Sequence, residues 1–195
     1  MRTVQSNDMN ENQISTAINK AKRGIKQYLK IMKLFPLVNV ANNQDFQKKY
    51  NAFYRVRQRK ENWYKVYYQF MEAQKGFDIT FPRVLRYFQE HLGRYEPSFS
   101  SKLVATHNPN MPVWDVHVLS NIGLRAPSYT SPHKFNLAET AYHAIQEWYR
   151  SFEQSAEGAM IIRMFDEHIF DEHISEAKFI TNTKKIDFVL WQART

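Results

Sequence analysis

The spacing of apolar residues is the feature that most limits the folds open to this chain of 195 residues. From Ile14 to Phe35, apolar side chains recur every third or fourth position, as in Ile14, Ala17, Ile18 and Ala21. That period places them on one face of an amphipathic helix. Strict alternation of apolar and polar residues, which is typical of a half-buried strand, is rare in this chain. The pattern therefore predicts an all-α fold.

Proline, glycine and capping residues divide the remaining periodic segments into further helices. We predict a helix that begins at Asp45, with its apolar pattern continuing through Trp63 to Gly76. Further helices are predicted to begin at Thr80, at Pro97, at Asp115 and at Asn136, followed by two more over about 159–174 and 184–191. Asp45, Asp115 and the pair Asn136 and Glu139 are the expected N-terminal caps. A loop is expected over 126–131. No linker interrupts the chain, so we expect a disordered lead over 1–12 and a single, compact multi-helix domain over 13–195.

The composition excludes several classes of protein. The chain holds no cysteine, which rules out a disulfide scaffold and a cysteine-ligated zinc ribbon. Its 43% hydrophobic and 15% aromatic residues are ample for a buried core. No run of about 18 apolar residues is present, and the first thirteen residues lack the apolar stretch of a signal peptide. We therefore expect a protein of the reducing cytoplasm that has no membrane partner.

The net charge of +8 is distributed unevenly along the chain. Residues 20–65 hold thirteen Lys and Arg but only two acids, a local charge of +11. Residues 139–176 hold nine acids and two Arg, a local charge of −7. The N-terminal half is thus basic and the C-terminal half acidic. A local excess of this size favours a polyanionic partner, most simply DNA, although a solvated helix face is the alternative.

A five-residue repeat, Phe-Asp-Glu-His-Ile, occurs at 165–169 and again at 170–174. Histidine and carboxylate side chains bind metals, but two histidines on one helix face need a spacing of four, and His168 and His173 are five apart. Five residues turn a helix by about 500°, which leaves the two rings roughly 140° apart. We interpret the repeat as an acidic, solvated helix, and we predict no metal site and no cofactor.

A tract of aromatic and basic residues extends from Phe46 to Tyr68. Basic side chains neutralise phosphates, and aromatic rings stack on unpaired bases. The three-and-four spacing assigns most of the rings to the core. The basic residues are predicted to contact DNA phosphates; they are Lys48, Lys49, Arg55, Arg57, Arg59 and Lys60.

Two short motifs carry the most specific chemistry. The first, Pro-Ser-Phe-Ser-Ser-Lys at 97–102, ends on Lys102 near a helix start. The second, Pro-Val-Trp-Asp-Val-His-Val at 112–118, places Asp115 at the start of the next helix. A lysine in a partly apolar cleft can lose its proton and act as a nucleophile, and a capping aspartate keeps its charge. Together, Lys102 and Asp115 suit attack on an electrophilic carbon beside a developing positive charge.

These motifs resemble those of the helix-hairpin-helix DNA glycosylase superfamily, in the branch that contains the 8-oxoguanine DNA glycosylases. The family hairpin reads Pro-Gly-Val-Gly-x-Lys, and residues 97–102 match its proline, its central apolar residue and its lysine. A Pro-Val-Asp-x-His-Val stretch follows in the family, and residues 112–118 match it with one inserted residue. Residues 98–118 and 187–191 also resemble uncharacterised bacterial proteins described as having the 8-oxoguanine glycosylase fold.

The resemblance implies a helix-hairpin-helix element that grips the DNA backbone. It implies that Lys102 is the nucleophile that attacks C1′ of the sugar, and that Asp115 is the carboxylate that stabilises the positive sugar or activates the attacking group. Serine replaces both hairpin glycines, at Ser98 and Ser100, so the hydroxyls here, with that of Ser101, are the expected phosphate donors.

Three functions remain open from the sequence. The first is a DNA glycosylase with AP lyase activity. The second is a DNA-binding module that has the same fold but no catalysis. The third is a helical interaction protein in which the basic end of one copy pairs with the acidic end of another.

Overall fold

The first helix shows how local sequence sets an element boundary. The computed structural model describes residues 9–121, 123–171 and 180–193. Asn10 Oδ1 accepts a hydrogen bond from the Gln13 amide at 3.0 Å, and Gln13 Oε1 accepts one from the Asn10 amide at 2.9 Å. This capping box starts helix α1, Glu11–Leu34. Met9 is buried and its amide donates to Glu157 Oε1 at 3.1 Å. Residues 9–12, predicted as part of a disordered lead, therefore belong to the folded part, and residues 1–8 lie outside the described residues.

The all-α prediction is confirmed, since the described residues contain helices and no strand. Within the described ranges, eight helices follow α1: α2 Gln44–Tyr54, α3 Glu61–Ala73, α4 Phe81–Leu92, α5 Pro97–His107, α6 Val116–Asn121, α7 Lys134–Glu153, α8 Ala156–Asp171 and α9 Asn182–Gln192. The predicted loop over 126–131 lies between α6 and α7. The predicted helix to 174 reaches Asp171 in α8, and residues 172–179 lie outside the described residues.

Two of the predicted caps are wrong. Asn43, two residues before Asp45, caps α2, because its side chain accepts a hydrogen bond from the Phe46 amide. Asp45 instead lies in the first turn and pairs with Lys49. Helix α7 begins at Lys134, before Asn136, and the carboxylate of Glu139 pairs with Arg86 of α4 rather than capping its own helix.

The core is built around an aromatic column between α3, α4 and α5. Trp63 stacks on Tyr67 at 4.7 Å between ring centroids, and Tyr67 stacks on Phe88 at 5.4 Å. Phe99 of α5 meets Trp63 edge-on. On the other side, α1 packs against α2, α8 and α9. The candidate site lies where Lys102 of α5 contacts the end of α2 and where Phe53 of α2 contacts Phe188 of α9.

Helices α4 and α5 are in contact and joined by a turn of residues 93–96. Gly93 ends α4 in the left-handed region, at a φ of 63°. Pro97 is the first residue of α5, so the segment 97–102, which matches the hairpin motif, forms the first turns of a helix. The identity of this element as a helix-hairpin-helix stays a prediction.

Among the described helices, none combines the length and the apolar character that crossing a membrane requires.

Candidate functional site

Lys102 lies in the second turn of α5 and reaches toward the end of α2. Its Nζ donates a hydrogen bond to the Tyr54 carbonyl at 3.3 Å and lies 4.7 Å from the centre of the Phe99 ring. Burial removes water from the ammonium and lowers the pKa of Lys102 to about 8. The Asp115 carboxylate opposes this shift. A substantial fraction of the amine is therefore neutral near physiological pH.

Asp115 is brought toward Lys102 by one buried hydrogen bond. The Trp114 amide donates to Ser101 Oγ at 2.8 Å, which joins the extended segment 112–115 to α5. This bond joins Ser101 to Trp114, and the residues that directly follow them are Lys102 and Asp115. Tyr142 Oη also donates to the Pro112 carbonyl at 2.9 Å, which secures the segment from α7. The Asp115 carboxylate is the charge that acts most strongly on Lys102.

Two of the motif's three serines lie inside the fold, away from the surface that their predicted contact with phosphate requires. Ser100 and Ser101 are fully buried. Ser100 Oγ donates to the Glu96 carbonyl, and Ser101 Oγ donates to the Ser98 carbonyl while it accepts from Trp114. These hydroxyls form hydrogen bonds to backbone groups of the same turn and of the neighbouring segment. Ser98 is the one member of the three with a partly exposed side chain.

Arg59 is an internal anchor, which differs from its predicted role at a phosphate. Its guanidinium pairs with the buried Glu96 carboxylate at 3.3 Å and lies over the Phe99 ring at 4.7 Å. Arg94 binds the other oxygen of Glu96 at 3.0 Å. The positive charge of Arg59 also acts on Lys102, where it lowers the pKa.

The segment 55–60 carries other predicted DNA contacts next to Lys102. It follows directly on Tyr54, whose carbonyl Lys102 binds. Arg55, Arg57 and Lys60 are exposed, and the Arg55 guanidinium lies 4.7 Å from the Trp191 ring of α9. Arg55 adopts a left-handed φ of 54°, which turns the chain sharply at the end of α2. Three exposed cations therefore follow closely on Tyr54, the residue whose carbonyl Lys102 contacts.

Two further predicted contacts lie on α2. Lys48 is exposed, and Lys49 is partly exposed and pairs with Asp45. Lys48 remains available to a phosphate, whereas Lys49 already has an anionic partner.

The basic residues of α1 form an outward ridge, defined here as Lys20, Arg23, Lys26, Lys30 and Lys33. All five are exposed, while the opposite face of α1 is buried in the core. The ridge extends over about 20 Å at the rise of an α-helix. These residues belong to the +11 segment, but no sequence pattern assigns them a contact.

Sequence reasoning missed a second buried lysine at this site. Lys184 of α9 is 6% exposed, and its Nζ pairs with Asp187 at 2.5 Å. Tyr149 Oη of α7 donates to the same carboxylate at 3.3 Å, and the pKa of Tyr149 is raised by burial and by the charges of Asp187 and Asp115. The spacing of three between Lys184 and Asp187 indicates that the two side chains share a helix face, but it does not indicate that this face is buried.

The histidine repeat has a local structural role where it is described. His168 Nδ1 contacts the Met164 carbonyl at 2.8 Å, and Nε2 contacts Ser15 Oγ at 2.9 Å. Both ring nitrogens of His168 thus have partners. His173 lies outside the described residues. Within the described ranges, no group of three or more His, Asp or Glu side chains is placed to hold a metal ion.

Comparison with protein-family models, with curated proteins and with solved structures finds no match to this chain.

Proposed function

We propose that this chain is a DNA-binding protein that acts on a damaged or abasic nucleotide, with Lys102 as the nucleophile and Asp115 as the assisting carboxylate. The observation that carries the proposal is the partly buried Lys102 amine, which contacts the Tyr54 carbonyl and the Phe99 ring and whose pKa is lowered to about 8 in the vicinity of the Asp115 charge. An amine nucleophile must be neutral to attack, and burial supplies that form near neutral pH. The exposed cations of the 55–60 segment directly follow Tyr54, whose carbonyl the amine contacts.

The proposed reaction is a substitution at C1′ of the sugar that is followed by an elimination. The lone pair of Lys102 Nζ attacks C1′, and the glycosidic bond breaks with its electron pair leaving on the base, which takes up a proton. Opening of the sugar ring then gives an iminium between Nζ and C1′. Loss of a C2′ proton expels the 3′ phosphate, and water releases the amine. The Asp115 carboxylate stabilises positive charge at C1′ during the first step.

The proposed DNA contact is the α1 ridge together with the exposed cations of segment 55–60. From residue 12 to residue 44 the sequence contains no acid, so nothing within that stretch offsets the ridge. Among the described residues, no carboxylate pairs with Arg23, Lys26 or Lys30. Three such cations on one face of α1, spread over about 10 Å of helix, suit the repeated phosphates of a DNA strand.

Borohydride trapping tests the chemistry. Wild-type protein is incubated with duplex DNA containing one abasic site, and borohydride reduces the iminium to a stable cross-link visible on a denaturing gel. We expect an adduct with wild type and none with Lys102→Ala. Lys185→Ala is the matched control, because Lys185 is also buried but pairs with Asp166 of α8. An equal yield of adduct from Lys102→Ala, or no adduct from wild type on abasic or damaged duplexes, would contradict the proposed reaction.

Salt dependence of binding tests the DNA contact separately. The triple variant Arg23→Gln, Lys26→Gln, Lys30→Gln removes three ridge charges. We expect the negative slope of log affinity against log salt concentration on duplex DNA to become shallower by about 2.7, which is about 0.9 for each of the three lost phosphate contacts. Arg150→Gln is the control, since Arg150 is exposed but pairs with Glu147 on α7. An unchanged slope in the triple variant would exclude the ridge as the contact.

A non-catalytic DNA-binding role is the second candidate. It is favoured by the burial of Ser100 and Ser101, because two of the three hydroxyls that were expected to donate to phosphate face inward. The two experiments separate the candidates. Steep salt dependence without any trapped adduct favours binding alone.

A further inference from the structure

The loop between α6 and α7 holds one aromatic ring out in water. Tyr129 is 66% exposed, yet several contacts fix its position. Its carbonyl accepts a hydrogen bond from Lys134 Nζ at 3.1 Å, and its ring meets the buried Tyr95 ring edge-on at 5.2 Å between centroids. On either side of it, the hydroxyls of Ser128 and Thr130 are hydrogen-bonded to each other at 2.8 Å. A ring that is already fixed loses little conformational freedom when a partner covers it.

The chain around Tyr129 is positively charged. Residues 116–138 contain no Asp or Glu, so nothing within this stretch offsets its two cations, Arg125 and Lys134. Arg125 is exposed and lies four residues before Tyr129. Lys134 contacts the Tyr129 carbonyl directly. Among the described residues, no carboxylate pairs with either cation. The exposed ring therefore lies in a surface that favours an anionic partner.

A series of contacts joins the exposed ring to the candidate site. The Tyr95 ring, which it meets edge-on, belongs to the residue directly before Glu96. The Glu96 carboxylate pairs with Arg59 at 3.3 Å, and the Arg59 guanidinium lies 4.7 Å from the centre of the Phe99 ring. Lys102 Nζ lies 4.7 Å from the centre of the same ring. The exposed ring and the proposed nucleophile thus belong to one connected region around the start of α5.

We propose that the Tyr129 ring is a stacking platform for an unpaired base of a DNA strand, with Lys134 and Arg125 at the phosphates of that strand. This inference rests on the proposed function, and it adds a contact for a base to the contacts proposed for phosphates. An abasic site leaves the opposite base without a partner, and an unpaired base leaves the stack at low cost. Every base has a flat π face, so an aromatic platform accepts any of them.

Two oligonucleotides that differ only in their bases isolate the stacking contact. One is a single strand of about 12 thymidines, and the other has the same backbone with a tetrahydrofuran abasic residue at every position. Fluorescence anisotropy measures the affinity of the protein for each. We expect wild type to prefer the thymidine strand by about tenfold, and Tyr129→Ala to bind the two strands equally. Tyr129→Trp is expected to retain the preference.

Phe77→Ala is the matched control. Phe77 is also 66% exposed but lies in the turn after α3, so its removal is expected to leave the thymidine preference unchanged. Photocross-linking gives an independent measurement on wild-type protein. A central thymidine is replaced by 5-iododeoxyuridine, which joins to an aromatic ring in contact with it on irradiation, and peptide mass spectrometry locates the adduct. We expect the adduct at Tyr129, which decides the test if Tyr129→Ala does not fold.

The outcomes separate this inference from the proposed function. Equal affinity of wild type for the two strands, a thymidine preference that survives in Tyr129→Ala, or an adduct located only at other rings would overturn the platform while the phosphate contact stands. No binding of either strand at low salt would overturn both. A dimer formed without DNA that Tyr129→Ala dissociates would assign the ring to a contact between copies and overturn the platform. A thymidine preference in a protein that gives no borohydride adduct would contradict the proposed reaction alone.

Discussion

Lys102 is a residue whose burial works against its own charge. The helix that carries it continues into the core, and Leu103 and Val104 beside it are fully or almost fully buried. Its amine obtains one carbonyl and one ring face in exchange for water. Those contacts do not offset the lost hydration, since the pKa of Lys102 falls from its ordinary value to about 8. Folding therefore costs free energy at every pH at which the unfolded chain keeps this amine charged.

The sign of that cost predicts a measurable pH dependence. The unfolded state binds the Lys102 proton up to about pH 10.5, whereas the folded state releases it near pH 8, so the free energy of unfolding rises with pH between these values. Between pH 8 and pH 10 the rise is expected to be about 2 kcal/mol larger in wild type than in Lys102→Met. Urea denaturation at several pH values measures the difference. Parallel pH profiles for the two proteins would show that Lys102 is not desolvated.

Single residues were the scale at which the sequence was least informative about the site. Lys102 and Asp115 could be selected because each lies in a short motif. Lys184 and Asp187 could not, because a charged residue in an amphipathic helix is normally exposed and nothing local to α9 indicates that both faces are covered. The internal ion pair of Arg59 could not be predicted for a related reason, since its partner, Glu96, lies 37 residues away in the sequence. Burial of charge depends on long-range packing, which no local pattern records.

At the scale of elements, two helical glycines are expected to respond to alanine in opposite directions. A methyl group at Gly24 of α1 would make an ordinary contact with Phe188 at 3.7 Å, so Gly24→Ala is expected to stabilise the protein by about 0.5–1 kcal/mol. At Gly158 of α8 the same methyl group would overlap the Phe152 carbonyl. Gly158→Ala is therefore expected to destabilise by about 1–3 kcal/mol.

Denaturant unfolding of the two single variants measures this pair, and each serves as the control for the other. The overlap arises because only two residues separate α7 from α8. One of them, Ser155, accepts a hydrogen bond at its Oγ from the Gly158 amide at 3.0 Å. A Gly158→Ala protein as stable as wild type would mean that this junction is looser than the structure has it.

Helix existence was more predictable than helix boundaries. The spacing of apolar residues, Pro82 and Gly93 predicted both ends of α4, because these signals are local and act at the ends of the helix itself. The α7 start was missed because tertiary contacts decide it: Glu139 is drawn to Arg86 of α4, and the Lys134 side chain binds the Tyr129 carbonyl at 3.1 Å. Caps compete among several nearby polar residues, and packing selects one of them.

At the scale of the whole molecule, the two charged regions are compensated to different degrees. In the acidic region, Glu139 pairs with Arg86 of α4 and Asp166 pairs with Lys185 of α9. The α1 ridge has no such partners at Arg23, Lys26 or Lys30 among the described residues. The exposed charges of Arg23, Lys26 and Lys30 are thus directed outward, whereas the acidic charges of Glu139 and Asp166 are used within the fold. This asymmetry favours an external polyanion over head-to-tail pairing between copies.

The tyrosines of the core predict how the whole fold responds to alkali. Burial raises the pKa of seven strongly enclosed tyrosines above its ordinary value of about 10; they are Tyr28, Tyr50, Tyr54, Tyr67, Tyr68, Tyr142 and Tyr149. Above pH 10 the unfolded state loses these protons first, so stability that is present below pH 10 is lost as the pH rises. Each such tyrosine removes up to about 1.4 kcal/mol per pH unit, so the loss is expected to be steep and cooperative.

Tyrosinate absorbance at 295 nm and helical circular dichroism at 222 nm, recorded together from pH 9 to pH 12.5, test this expectation. The main rise in absorbance is expected to coincide with the loss of helix, because the enclosed hydroxyls ionise only when the core opens. Tyr149→Phe removes one enclosed hydroxyl and is expected to make the transition less steep, whereas Tyr129→Phe removes an exposed one and is expected to leave the steepness unchanged. Ionisation of most tyrosines with the helices intact would show that solvent already reaches the aromatic core and the lysines beside it.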